Sequence, residues 1–217
     1  MKKSFKYIIF DYGEDSVNYI DSLTNNFDDL CDEIVKFFAL ENYGEKTTVI
    51  LWDDLEKFRN FYKENFKRKC PETTVGFQIV NNINSLSFNQ YIKTKGNENN
   101  SMDDFKRLIL HEFVHAVHRK VSDIYQLMWL VEGLSTSLSK QYAYKTDLVF
   151  DASLDECIKG GTNYSNYYLM FNYVLNNYGK DYILKIIKDK NFGYLETPRL
   201  YSEVNSYYNN FNNSIKI

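Results

Sequence analysis

All three histidines of the chain lie in one short stretch, "HEFVHAVH", residues 111–118. On an α-helix, residues four apart share a face, so His111 and His115 can direct their imidazoles at a single ion. Glu112 then projects beside the two histidines rather than at the ion. This spacing predicts a zinc ion held by the histidines, with a neighbouring carboxylate that acts as a general base.

An H-E-x-x-H sequence also arises by chance on helices that have no catalytic role. Here apolar residues surround the motif on nearly all sides, which predicts a deeply buried helix. Buried imidazoles and a buried carboxylate are unfavourable without partners, and a bound metal satisfies all of these groups together. The context therefore favours a metal site over an accidental match. The flanking apolar residues are Leu108, Ile109, Leu110, Phe113, Val114 and Val117.

A catalytic zinc site needs a third protein ligand and leaves the fourth position open for water. The metzincin pattern requires glycine and then histidine or aspartate at the positions that His118 and Val121 occupy here, and the chain has no further histidine. The best candidate is Glu132 in "WLVEGLSTSLS", residues 129–139, where Gly133 permits close contact between helices. Glu132 is therefore the predicted third ligand.

Other polar residues near the motif have less direct roles. His118 lies three residues after His115, and we expect it near the exposed end of the helix without a catalytic role. Zinc-bound histidines normally donate their second N–H to a carboxylate or a carbonyl group. Ser135 and Thr136, one turn beyond Glu132, are the candidates for support of this kind.

The composition excludes several other classes of protein. With 217 residues the chain can bury a substantial core, and its net charge of -3 comes from interspersed acids and bases. No basic stripe is visible, so we expect no nucleic-acid partner. Cys31, Cys70 and Cys157 are widely spaced, which argues against disulfides and against a cysteine-rich zinc site. The early apolar run "YIIF" is too short for a signal peptide or a membrane span, so we expect a cytoplasmic protein with no membrane partner.

The first hundred residues alternate between strand-like and helical patterns, and this order predicts a mixed sheet covered by helices. The last two strands are expected to form a hairpin. The polar stretch "KTKGNENN", residues 93–100, is the predicted boundary of this lobe. The predicted strands are 7–10, 47–52, 75–80 and 85–92, and the predicted helices are 16–40 and 53–69.

From residue 101 onward the pattern is helical. Ser101 and Asp104 form a capping box that opens the zinc-binding helix, which runs to the basic residues near Lys120. The polar stretch "VSDIYQ", residues 121–126, leads to a second helix that begins near Met128. Further helices are predicted at 164–177, at 180–190 and near the C-terminus, with Gly179 as a helix stop.

The two motifs together resemble the gluzincin metallopeptidases. "HEFVH" is similar to their zinc-binding helix, and "WLVEGLSTSLS" is similar to their glutamate-bearing helix with its Trp-x-x-Glu-Gly-Leu core. The resemblance implies that His111, His115 and Glu132 bind Zn²⁺ and that Glu112 is the general base. Sixteen residues separate His115 from Glu132, slightly fewer than in the better-known branches, which predicts a tight connecting loop.

The resemblance extends to the order of the elements. "VGFQIVNNINSLSFNQY", residues 75–91, resembles the edge strand that holds an extended peptide by main-chain pairing in the family. By this resemblance Gly76, Phe77 and Gln78 lie nearest to the cleft and bind the substrate. The implied fold class is α+β and zincin-like: an N-terminal lobe of mixed sheet and helices, a mostly helical second lobe, and the zinc site in the cleft between them. The corresponding limits are 1–100 and 101–217, which together form one catalytic domain.

A third segment, "YSNYYLMFNYVLNNYGKDYILKIIKD", residues 164–189, resembles the helix pair that follows the zinc helices. In the aminopeptidase branch this pair carries a tyrosine that stabilises the oxyanion. Counting back from the glycine that ends the first helix gives Tyr164 as the matching residue, with Tyr167 and Tyr168 as alternatives.

These residues predict zinc-dependent hydrolysis of peptide bonds in a peptide or protein substrate. No amine-binding motif of exopeptidases is visible, which favours an endopeptidase over an aminopeptidase. Two alternatives are a non-catalytic binding or interaction module that keeps the peptidase fold, and a structural protein in which the metal staples two helices. The first has little use for Glu112 beside an open metal position. The second needs a fourth ligand, which the sequence does not offer nearby.

Overall fold

A computed structural model describes residues 1–122 and 127–214 of the chain. Packing divides the chain into two compact units, residues 1–117 and 118–217. The fold class is α+β, as the sequence predicts, with a mixed sheet at the N-terminus and a mostly helical C-terminal part. Three expectations stay predictions. They are the limits at 1–100 and 101–217, the zincin-like classification, and the position of a zinc site in a cleft.

The first unit contains a five-stranded sheet in the order β1-β2-β3-β5-β4. The three central strands, β2 (Ile8–Tyr12), β3 (Thr47–Trp52) and β5 (Asn82–Leu86), run parallel to one another. The two edge strands, β1 (Lys2–Ser4) and β4 (Gly76–Ile79), each pair antiparallel with their neighbours. Side chains of β3 alternate between buried and half-buried, as a strand covered on one face requires.

The predicted helix over residues 16–40 is wrong in its extent. The structure has a 3₁₀ turn (Glu14–Ser16), then α1 (Ile20–Thr24) and α2 (Phe27–Phe37). The break comes at Asn26, whose backbone is left-handed with φ of 56°. Asparagine adopts this conformation more readily than most residues. The helical spacing of apolar residues therefore continues along the sequence, although the backbone breaks the helix at this point.

The predicted second strand of the hairpin, 85–92, begins too late and ends too late. β5 begins at Asn82, directly after a two-residue turn at Val80 and Asn81, and residues Phe88–Tyr91 form the short helix α4. The prediction assigned the asparagines of this segment to a turn, but Asn84 lies within β5 and is fully buried. Its side-chain oxygen accepts a hydrogen bond from Trp52 Nε1 (3.1 Å), whereas its buried Nδ2 has no hydrogen-bond partner among the described residues.

The helix predicted over residues 53–69 is shorter in the structure, and the capping box predicted at Ser101 is confirmed. The carboxylate of Asp54 accepts the backbone N–H groups of Glu56 and Lys57 and caps α3 (Leu55–Phe66). At the start of α5 (Met102–Val121), Asp104 accepts the backbone N–H of Ser101 at 2.8 Å. The Asp104 N–H in turn donates to Ser101 Oγ at 3.2 Å, which completes the capping box.

Aromatic side chains pack α5 into the first unit. The ring of Phe113 lies 6.4 Å from that of Tyr7 and 5.7 Å from that of Tyr43, and Phe113 is fully buried. Phe10 of β2 makes an edge contact with Phe27 of α2 at 5.4 Å. Five of the six apolar residues predicted to surround the H-E-x-x-H motif are buried, and the sixth, Leu108, is half-buried. The buried ones are Ile109, Leu110, Phe113, Val114 and Val117.

The second unit contains α6 (Met128–Leu138), α7 (Leu154–Lys159), α8 (Tyr164–Lys188) and α9 (Lys190–Ser214). The backbone of Gly179 is non-helical, with φ of 81°, and interrupts α8 where the sequence predicts a helix stop. The sequence interpretation missed α7, although Ser153 and Glu156 form its capping box.

The predicted connection through "VSDIYQ" falls partly on residues 123–126, which lie outside the described residues. The tight loop therefore stays a prediction. In the described ranges, no helix combines the length and the apolar character that crossing a membrane requires.

Candidate metal centre

His111 and His115 lie one turn apart on α5, and both are buried. Their Nε2 atoms are 3.1 Å apart, and the ring planes are inclined by 79°. Without a metal, two nitrogens at this distance can share a proton in a hydrogen bond. The same separation would let both nitrogens bind one ion, which is what the spacing of the motif predicts.

Glu132 completes a group with these two histidines. One possible ligand atom from each of His111, His115 and Glu132 lies within 4.8 Å of the other two. No other group of three or more histidine, cysteine or carboxylate residues in the described ranges is arranged to hold a metal ion. The three residues selected as ligands from the sequence therefore form a possible metal-binding site.

The distance between the histidine nitrogens can be compared with what zinc requires. Zn–N distances of about 2.0 to 2.1 Å and a tetrahedral angle place two nitrogen ligands about 3.3 Å apart. The separation of 3.1 Å between the Nε2 atoms of His111 and His115 is close to this value. Two imidazoles and one carboxylate are also a donor set typical of catalytic zinc. The donors present thus fit a zinc ion.

Gly133, the residue after Glu132, lets α6 pack closely against α8. A Cβ atom on Gly133 would lie 2.4 Å from the carbonyl oxygen of Tyr167 and 2.6 Å from Cβ of Phe171, both on α8. Such distances are sterically impossible, so only glycine lets the helices approach this closely. On the same helix, Trp129 Nε1 donates to Thr197 Oγ1 at 3.1 Å. These contacts fix α6 within the second unit.

Glu112 is half-buried, and its side chain lies over the edge strand β4. A Cβ atom built on Gly76 would be 3.6 Å from both Cγ and Oε1 of Glu112. The expected general base therefore stands directly above the strand that the sequence interpretation selected for substrate binding. A larger side chain at Gly76 would occupy the space beside the carboxylate.

Strand β4 pairs with β5 on one side only, and no described strand pairs with its other edge. Ile79 and Asn82 close the two-residue turn, so Phe77 forms the next hydrogen-bonded pair with Asn84. The alternation of an antiparallel ladder then directs the backbone N–H and C=O groups of Gly76 and Gln78 away from β5. These are the groups that an added peptide strand would use.

The three residues predicted to bind the substrate do not share one face. Gly76 and Gln78 face the same side, toward Glu112, because strand residues two apart do so. Phe77 points to the opposite side, where its ring lies 5.0 Å from that of Phe58 and 5.1 Å from that of Tyr62 on α3. Its side chain contributes to the core, so a role in binding rests on its backbone alone.

The tyrosines considered as oxyanion donors differ in environment. Tyr164 is the first residue of α8, and its side chain is 47% exposed. Tyr167 is buried, and its hydroxyl lies near the Gly160 backbone. Burial raises the pKa of the Tyr167 phenol, hydrogen bonding to the Thr162 backbone lowers this pKa, and the nearby Glu132 charge raises it further. Burial also raises the pKa of Tyr168.

The expectation that His118 lies near an exposed helix end is wrong. His118 is only 2% exposed, although α5 ends three residues later at Val121, and it is the first residue of the second unit. There it borders a cavity of about 20 Å³, enough for roughly one water molecule. The other residues that line this cavity are Leu127, Leu130, Ile186, Ile187, Lys190 and Tyr194.

The hydroxyl groups suggested as support for the zinc histidines bond within their own helix. Ser135 Oγ donates to the carbonyl oxygen of Val131 at 2.9 Å, and Thr136 Oγ1 donates to that of Glu132 at 2.7 Å. The Thr136 bond anchors its hydroxyl to the backbone of the predicted ligand. Both bonds are of the kind that serine and threonine commonly make inside helices.

Comparisons with known proteins do not assign the chain to a family. The chain matched no protein-family model, no curated protein sequence and no solved structure. A functional assignment therefore depends on the donor set, on the residues beside it and on the sequence motifs.

Proposed function

We propose that this protein is a zinc-dependent metallopeptidase that hydrolyses peptide bonds. The observation that carries the proposal is the arrangement of His111, His115 and Glu132 as a possible metal-binding group. Further support comes from Glu112, the residue after His111, because its carboxylate lies over the edge strand β4. A metal site, a general base and a peptide-binding edge are the parts that this reaction needs.

Zinc is the metal that we propose, because borderline-soft Zn²⁺ accepts mixed nitrogen and oxygen donors in a tetrahedral arrangement. His111, His115 and Glu132 would hold it through two imidazole nitrogens and one carboxylate oxygen. When bound, zinc lowers the pKa of a coordinated water to about 7 and polarises the carbonyl group of the substrate. Three protein ligands leave one position open for this chemistry.

The residues of the chain carry the remaining steps. The Glu112 carboxylate accepts a proton from the attacking water and returns it to the amine of the leaving peptide. The backbone groups of Gly76 and Gln78 hold the substrate in an extended conformation along β4. A phenol on α8, which we assign to Tyr164, donates a hydrogen bond to the developing oxyanion.

We further propose a peptide or protein substrate that is cleaved internally. A peptide that pairs along a strand edge can extend beyond it in both directions, and nothing in this mode of binding requires a chain terminus. This geometry supports the preference for an endopeptidase. Cleavage positions in a library of peptides blocked at both ends test the preference, since an aminopeptidase leaves such peptides intact.

The alternative is a non-catalytic module that binds zinc and peptides without hydrolysis. Such a module does not need a proton acceptor beside the metal, whereas this chain has Glu112 directly after His111, with its carboxylate next to Gly76 of β4. The two functions are separated by incubating the metal-loaded protein with the peptide library, then removing the metal with a chelator and adding zinc back. Hydrolysis that disappears and returns supports the enzyme, and binding without products supports the module.

A further inference from the structure

A basic recess lies on the surface of the first unit, at the C-terminal end of α3. It encloses about 490 Å³ and is open to solvent. Four cationic side chains line the recess together with one amide and a single carboxylate. They are Lys63, Lys67, Arg68 and Lys69, with Asn60 and Glu64.

The charge of the basic recess is opposite to that of the whole protein. Four cations and one anion give the recess a formal charge of about +3, whereas the chain carries -3. None of its four cations is in an ion pair in the part of the chain that the structure describes. Like charges gathered in one concave surface repel each other, and an anionic ligand relieves this repulsion.

Helix capping explains only part of this cluster. Cations in the last turn interact favourably with the helix dipole, which accounts for a base at Lys63. Arg68 and Lys69 lie beyond the helix end, after Lys67 has adopted a left-handed backbone with φ of 54°. That turn redirects the chain, so bases from the helix and from the following segment line the same recess.

Arg68 is held in a defined position. Its Nε donates to the hydroxyl of Tyr62 at 3.1 Å, and its guanidinium carbon lies 5.8 Å and 6.0 Å from the ring centres of Tyr62 and Phe66. A guanidinium fixed on aromatic rings loses little conformational entropy when it binds a carboxylate. The basic recess is therefore partly organised for an anion before binding.

The basic recess is linked to the edge strand through two layers of side chains. The ring of Phe77, in β4, lies 5.1 Å from that of Tyr62 and 5.7 Å from that of Phe66. Arg68 stacks on both of these α3 residues. The α3 side chains that support Arg68 therefore pack directly against the strand along which the substrate is proposed to pair.

We propose that the basic recess binds an acidic segment of the polypeptide substrate, several residues away from the bond that is cleaved. This inference rests on the proposed peptidase function, since it selects which polypeptides reach β4. Carboxylate side chains of the substrate complement the four cations, and Arg68 offers a planar group for bidentate contact. The substrate class is therefore proteins or peptides that carry a cluster of aspartate or glutamate residues.

The test uses fluorescence anisotropy with the full-length protein and two labelled peptides, one with four glutamates and one with glutamines in their place. We expect the acidic peptide to bind more tightly, and its affinity to fall as salt rises from about 50 to about 300 mM. The double variant Lys63→Gln, Lys69→Gln should weaken binding by roughly 5- to 10-fold. The matched variant Lys93→Gln, Lys95→Gln removes the same charge from exposed positions outside the recess and should bind like the wild type.

Equal binding of the two peptides would overturn the inference, as would equal losses in the two double variants. Tighter binding of an RNA oligonucleotide, lost in the recess variant only, would also overturn it by identifying a different anion. Binding is also measured with the Glu112→Gln variant, which separates this inference from the peptidase function.

If the wild type binds acidic peptides but does not hydrolyse them, only the peptidase function is contradicted. If it hydrolyses peptides without preferring acidic ones, only the role of the basic recess is contradicted.

Discussion

The carboxylate of Glu112 lies against the backbone of Gly76, so that a Cβ atom at this glycine would be 3.6 Å from Glu112 Oε1. This relationship brings the proposed general base to the edge strand that is proposed to bind the substrate. The gap is ordinary van der Waals distance for one methyl group, but it leaves no room for a branched side chain beside the carboxylate.

The contact with Gly76 predicts different effects for two substitutions at this position. Gly76→Ala should keep near-normal activity, because its methyl group fits at 3.6 Å. Gly76→Val should lower kcat/KM by about 10- to 100-fold, because its methyl groups displace the Glu112 carboxylate and crowd the bound peptide. Both variants should retain their zinc. Steady-state kinetics with metal analysis check this, and equal activity of the two variants would contradict the assigned position of the substrate.

Loss of Glu132 should affect metal binding before anything else. Wild-type protein should contain one zinc per chain, and Glu132→Ala should weaken zinc binding by more than about 100-fold, since even residues behind the ligands contribute 10- to 100-fold. Glu132 is one of the three residues that could hold a metal ion. Elemental analysis and competition with a chelator measure the change. Exposed Glu72 provides the control, and unchanged affinity in Glu132→Ala would identify a different third ligand.

Gly133→Ala should destabilise the fold and disturb the metal site together. The added Cβ would meet the carbonyl oxygen of Tyr167 at 2.4 Å, so α6 and α8 must move apart. Overpacking of this kind reduces the free energy of unfolding by roughly 2 to 3 kcal/mol. Chemical denaturation measures this loss, and zinc titration measures the accompanying shift of Glu132. A variant as stable as the wild type would show that the close helix contact does not exist in solution.

The oxyanion donor can be assigned by removing single hydroxyl groups. Tyr164→Phe should lower kcat by about 100-fold or more while zinc content stays constant, since a donor of this kind contributes about 3 to 4 kcal/mol to the barrier. Tyr167→Phe serves as the matched variant and should change kcat only a few fold. The reverse result would transfer the role to Tyr167, whose phenol lies within reach of the Glu132 charge.

The two histidines of the possible metal-binding group could be predicted from sequence because their geometry is local. Helical periodicity places His111 and His115 on one face, whereas Glu132 was predicted from the apolar residues and the glycine beside it in the next helix. Capping residues such as Asp54 and Ser101 also act within one turn, so they mark helix starts reliably. Predictions of this kind depend on interactions over three or four residues.

The errors arose where tertiary contacts override local patterns. Asn84 was expected in a turn, but it lies in a buried strand that pairs with β3 on one side and with β4 on the other. His118 was expected near an exposed helix end, but it is buried among residues of its own unit, the second one. Similarly, the predicted helix over residues 53–69 includes bases that lie beyond the end of α3 at Phe66. Their arrangement around one recess depends on the turn at Lys67, which the sequence pattern does not reveal.

The most direct measurement of the central claim is the activity and zinc content of Glu112→Gln. An amide keeps the size of the carboxylate but cannot accept a proton, so zinc should remain at one per chain. Peptide hydrolysis should fall by about 100- to 10,000-fold. Glu72→Gln, which removes the same charge from an exposed loop, should keep wild-type activity. Full hydrolysis by Glu112→Gln would contradict the account, because the proton acceptor on which it depends would then be dispensable.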